Sequence, residues 1–79
     1  HLAFQEAAIS FLQAYEAENL SSDDRAIAAY YLADTFYRLN EEERAHRTLS
    51  RLDAETRSKV VALAQKFANT RMAIMLDSI

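Results

Sequence analysis

Ala29–Leu52 reads AYYLADTFYRLNEEERAHRTLSRL, and its periodicity decides the fold class. Ala29, Leu32, Ala33 and Phe36 recur at three- and four-residue steps, which places them on one face of a helix. Asn40 interrupts the pattern. Asn tolerates a left-handed backbone better than other non-glycine residues, so it can end one helix. Asn40-x-x-Glu43 also has the spacing of a capping box, so the same residue can begin the next. Glu41–Glu43 and, further on, Arg47 and Arg51 occupy the helix ends that the dipole favours for their charges. Ala45, Leu49 and Leu52 supply a second inner stripe. The prediction is a helical hairpin with a polar turn.

The composition extends this reading to the whole chain. The 79 residues contain no glycine, proline or cysteine. Without glycine and proline, tight β-hairpin turns lose their usual residues, and the remaining Ala, Leu, Glu, Arg and Gln are strong helix formers. The fold class is therefore all-α. Absence of cysteine excludes a disulfide framework and thiolate metal sites.

Outward from the hairpin, the pattern gives four helices, over about 2–18, 23–39, 41–52 and 54–77. The first carries an apolar face of Phe4, Ala7, Ala8, Phe11, Ala14 and Tyr15. Ser21 or Ser22 can cap the second, with Asp23 and Asp24 in its first turn. Asp53 can cap the fourth. That last helix is long, and its wide apolar arc from Val60 to Leu76 implies contact with two neighbours. Arg71 falls inside the arc, where it can wait for a partner carboxylate, pair internally, or reach solvent along its aliphatic stem. The chain begins on His1 with a helix under way by Leu2 and no N-cap. The expectation is a single all-helical domain that is a fragment or the C-terminal part of a longer chain.

Ala29-x-x-Leu32-Ala33-x-x-Phe36, followed by Ala45-x-x-x-Leu49-x-x-Leu52, resembles the tetratricopeptide repeat. That family sets a large–small pair and an aromatic on its first helix and a small residue on its second. Ala7-x-x-x-Phe11-x-x-Ala14 is similar to the second half of the same pattern. The resemblance covers roughly residues 4–52 and implies about one and a half repeats of antiparallel hairpins, closed by the long last helix. It also implies a peptide-binding face lined by first helices. Carried onto this chain, that face holds Ile27, Tyr30, Asp34, Tyr37 and Arg38.

Two tyrosines, an acid and an arginine can hold a peptide by stacking and charge-assisted hydrogen bonds. The plainer alternative packs the tyrosines on neighbouring helices and leaves Asp34 and Arg38 as an exposed i,i+4 pair. A second function class is structural. Val61, Ala68, Met72 and Met75 share a flank of the last helix and could meet a second copy in a two-fold dimer.

Charge is unevenly spread behind a net −3. Residues 1–43 carry two basic groups against nine acids, and residues 44–71 carry seven against two. Arg44, Arg47 and Arg51 form a basic row, with Glu43 placed to pair with Arg47. The overall acidity and the lack of interleaved aromatics argue against nucleic acid as a partner. His46 is the single internal histidine, and no HExxH or Gly-rich phosphate loop occurs, so no catalytic, cofactor-binding or metal residue is nominated. No apolar run has the length of a membrane span. The expectation is a cytoplasmic, non-enzymatic chain that needs no cofactor and meets a protein or peptide, or a copy of itself.

Overall fold

The described residues form five helices where the periodicity predicts four, and the difference arises at Ala68. The structure is a computed structural model that describes residues 2–16 and 20–79, with the backbone alone at 2–4, 8, 11, 14 and 15. The helices are α1 (Leu2–Glu16), α2 (Ser22–Arg38), α3 (Glu42–Ser50), α4 (Ala54–Lys66) and α5 (Thr70–Asp77). The bounds of α2 and α3 agree with the expected ones within the residue or two by which helix ends fray. Residues 17 and 18, expected at the end of the first helix, lie outside the described residues. So do the side chains of Phe4, Ala8, Phe11, Ala14 and Tyr15.

The expected helix over 54–77 breaks at Phe67–Asn69. Ala68 takes a left-handed conformation, φ 53°, and Asn40 takes the same one at the end of α2, φ 61°. Both ends are Schellman motifs. After α2, the Glu41 amide bonds the Phe36 carbonyl at 2.8 Å and the Asn40 amide bonds Tyr37 at 3.0 Å. After α4, the Asn69 amide bonds Ala64 at 2.8 Å and the Ala68 amide bonds Gln65 at 3.1 Å. Each motif satisfies carbonyls that a helix end would leave open. Asn40 announces its turn in the sequence, whereas alanine, the best helix former, conceals the second.

The left-handed region costs an L-residue about 1–2 kcal/mol. Glycine escapes that strain but loses about 0.4–1 kcal/mol more in unfolded-chain entropy. Ala68→Gly is therefore expected to stabilise the protein by about 0.5–1 kcal/mol, visible as a rise of a few degrees in thermal melting. A fall in melting temperature would mean that the break is absent and α4 runs on.

Side chains cap the starts of α2 and α4. Ser21 Oγ accepts from the Asp24 amide at 3.1 Å, and Asp53 Oδ1 accepts from the Thr56 amide at 2.7 Å. The Thr56 hydroxyl bond, and then its amide, hold the Asp53 carboxyl below its ordinary pKa. The capping contribution is therefore full above the usual carboxylate range and is lost as pH falls through the lowered value. The Asn40–Glu43 capping box does not form: the N-cap of α3 is Glu41, which makes no side-chain capping bond. Asn40 is committed to the left-handed turn, while an N-cap needs extended backbone.

Helix α2 is the centre of the packing, lying against α1, α3 and α4. Ala26, Ala29 and Ala33 on α2, Ala45 on α3 and Ala64 on α4 are buried, and such small side chains let helix axes approach. Leu32, Leu49, Val60 and Met72 fill the spaces between. Arg57 ties the α3–α4 corner, its Nη2 donating to the Leu52 carbonyl at 2.9 Å and the Ser50 carbonyl at 3.4 Å. Among the described helices, none is long and apolar enough to cross a membrane.

Candidate protein-interaction face

The five residues nominated on α2 divide into two environments. Tyr30 and Tyr37 are each only 5% exposed, so they do not line an open face. Ile27 is 45% exposed, and Arg38 lies in solvent. The Arg38 Nε donates to Asp34 Oδ2 at 3.1 Å, the i,i+4 pair that the spacing implies.

The α4–α5 corner is what covers the tyrosines. Phe67 packs on the Tyr30 ring with centroids 5.6 Å apart, and Tyr31 meets the same ring edge-on at 5.3 Å. Asn69 Nδ2 donates to Tyr30 Oη at 3.1 Å and lies 3.4 Å from Asp34 Oδ1. Asn69 Oδ1 meanwhile accepts from the Met72 amide at 3.1 Å and so caps α5. One asparagine thus starts α5 and fastens it to α2. The Tyr37 hydroxyl donates to Met75 Sδ at 2.6 Å. Burial, then the nearby Glu42 charge, raise the Tyr37 pKa against an opposing effect of Arg71, so the phenol stays neutral.

Arg71 lies over the Tyr37 ring, 5.4 Å from its centroid, with its side chain in solvent. Among the described residues no carboxylate comes within 4 Å of it. Its position inside the apolar arc holds only for a continuous helix. The break at Ala68 resets the phase and turns Arg71 outward.

The same phase change disperses the proposed dimer flank. Met72 is completely buried, Val61 and Met75 are half-buried, and Ala68 is an exposed turn residue. Met72 is a core residue and belongs to no surface. The large apolar residues exposed in this region are Phe67, Ile74 and Ile79.

A furrow between α2 and α4 replaces the tyrosine-lined face. Ala26 and Ile27 form one side, Ala62 and Leu63 the other, with Asp23, Lys59 and Lys66 at the rim, around a cavity of about 310 Å³. Lys59 is already engaged, donating to Asp23 Oδ1 at 2.7 Å and to Ser22 Oγ at 2.5 Å. The Asp23 hydrogen bond raises the Lys59 pKa, against partial desolvation. Lys66 stands over the Phe67 ring at 5.7 Å. Tyr31, four residues after Ile27 and 39% exposed, meets the same Tyr30 ring that Phe67 packs on. Leu63 and Phe67 are legible in the sequence only as members of the last helix's apolar arc and Tyr31 belongs to no stripe; nothing in the sequence alone marks the three as open.

Among the described residues no cluster of three or more His, Cys, Asp or Glu could hold a metal ion. No protein-family model, curated protein or solved structure matches the chain.

Proposed function

We propose that the chain is a cytoplasmic, non-catalytic protein-interaction module of tetratricopeptide-like helical hairpins, holding a peptide segment of a partner protein between α2 and α4. The observation that carries this reading is the strip of Ile27, Tyr31, half-buried Leu63 and Phe67 left open along two adjacent helices. Burial of Ala29, Leu32, Ala33, Phe36, Ala45, Leu49 and Leu52 supports the hairpin pattern. In that reading α2 and α4 are the first helices of successive hairpins and α3 and α5 the second ones. An apolar anchor of the peptide would enter the furrow, with Lys66 at its rim for a carboxylate.

The test is selection from a displayed peptide library. Selected peptides are expected to share apolar anchors and to lose at least tenfold in affinity, about 1.4 kcal/mol, on Ile27→Ser with Phe67→Ser. Both side chains are about half exposed, so the variant is expected to keep its helical circular dichroism. Failure to enrich any peptide, or binding indifferent to the double change, contradicts the reading.

A second reading, homotypic assembly, rests on Ile74, which is 65% exposed on α5. Phe67 and Ile79 lie near it in the chain and are also open.

A further inference from the structure

A second surface has a different chemistry. Ile9 and Leu12 stand three residues apart on α1, 58% and 40% exposed. With Gln5 they wall a groove floored by Phe36 and Leu39 of α2 and closed by Glu41 and Arg44, with a volume of about 470 Å³. A further hollow continues from Leu12, Phe36 and Arg44 to Arg47, Thr48 and Arg51. The three shared residues make the two hollows one groove, aliphatic along α1 and cationic along α3.

The cations are largely uncommitted. Arg44 lies 3.7 Å from Glu41 Oε1 and 5.9 Å from the Phe36 ring centroid. Glu43 does not pair with Arg47, although the i,i+4 spacing allows it; among the described residues no carboxylate lies within 4 Å of Arg47 or Arg51. An exposed arginine row alone is usually a solvated face. Here it runs beside two open aliphatic side chains, and that pairing of chemistries calls for a ligand with both.

We propose that this groove takes an amphipathic helix of a partner protein. Its apolar stripe seats on Ile9, Leu12 and the Phe36–Leu39 floor, and carboxylates on one flank meet Arg44, Arg47 and Arg51. The three- and four-residue steps between the arginines place them about 4.5 and 6 Å apart along α3. Acids at matching steps on a second helix repeat those intervals, whereas an extended strand presents same-side residues every 7 Å or so. Helix-in-groove recognition uses this combination of apolar anchors and flanking charge. A phosphate backbone fits less well. Phe36 is buried and offers no stacking surface, and Glu41, Glu42 and Glu43 adjoin Arg44 and Arg47 in the neighbouring hollow. The proposal is independent of the α2–α4 furrow.

The probe is a fluorescein-labelled synthetic helix of roughly 18 residues, five turns, with a leucine stripe and glutamates on one flank. Binding is read by anisotropy. Arg47→Glu with Arg51→Glu is expected to weaken it at least tenfold, about 1.4 kcal/mol, and Leu12→Ser severalfold. Raising salt past the point where the Debye length falls to about 3 Å should weaken it further. Ile27→Ser with Phe67→Ser should leave it unchanged. All five replaced side chains are exposed, and helical circular dichroism checks that each variant is folded. No binding at about 1 mM peptide, or binding indifferent to the arginine reversal, overturns the proposal. So does tighter binding of a lysine-flanked peptide or of polythymidine. A dimer in sedimentation that the same reversal dissolves would assign the groove to a second copy and overturn it equally.

Discussion

Met72→Glu is expected to unfold the chain rather than to separate a dimer. Met72 is completely buried on α5, and α5 reaches α2 as well as α4 through Asn69 and Met75. Losing a buried methionine costs about 2–5 kcal/mol. A carboxylate in its place must take up a proton, or drag α5 into water at further cost. Domains commonly have only about 5–15 kcal/mol of stability, and small ones lie near the lower end. Circular dichroism at 25 °C should show most of the helical signal lost. Ile74→Glu, on an exposed position of the same helix, should leave that signal intact. If the chain self-associates through α5, sedimentation should show Ile74→Glu to be monomeric. A folded Met72→Glu protein would mean that α5 does not pack as described.

Tyr30→Ala combined with Tyr37→Ala should also act on stability before it acts on binding. Truncating a buried large aromatic side chain costs about 3–5 kcal/mol, and these two rings carry the contacts that hold the α4–α5 corner to α2. The expected result is a chain substantially unfolded at 37 °C, with its urea midpoint lowered accordingly. The conservative changes separate packing from polarity. Tyr30→Phe keeps the ring and removes only the bond from Asn69, so about 1 kcal/mol is expected. A double alanine variant as stable as the parent would place both rings outside the core and restore them as candidates for a binding face.

Much of the fold is legible in the residues, because it rests on periodicity and on polar stops. The inner stripes of α2 and α3, the Ser21 and Asp53 caps and the Asn40 turn all appear as residues of the right type at the right spacing. The Ala68 turn does not. Its left-handed geometry is set by tertiary contacts, above all the Asn69 side chain shared among Tyr30, Asp34 and the start of α5. Asn69 is a good N-cap type, and that was the one available signal.

The differences at the surface follow from that single break. A continuous helix puts Val61, Ala68, Met72 and Met75 on one flank and Arg71 among apolar neighbours. The broken one buries Met72 and turns Arg71 out over Tyr37. It also lays Phe67 and Asn69 over Tyr30 and closes the expected tyrosine face. Exposure of Ile27, Tyr31 and Phe67 depends on where α4 lies beside α2, which amphipathic spacing cannot specify.

The most direct test is amide chemical-shift mapping of the labelled chain titrated with a peptide selected from the display library. Shifts are expected to cluster at Ile27, Leu63 and Lys66, along both walls of the α2–α4 furrow, and at the exposed Tyr31 and Phe67 beside Tyr30. A cluster centred on Ile74 of α5, or on Tyr37 and Arg71 with the furrow unmoved, would contradict the assignment of this face.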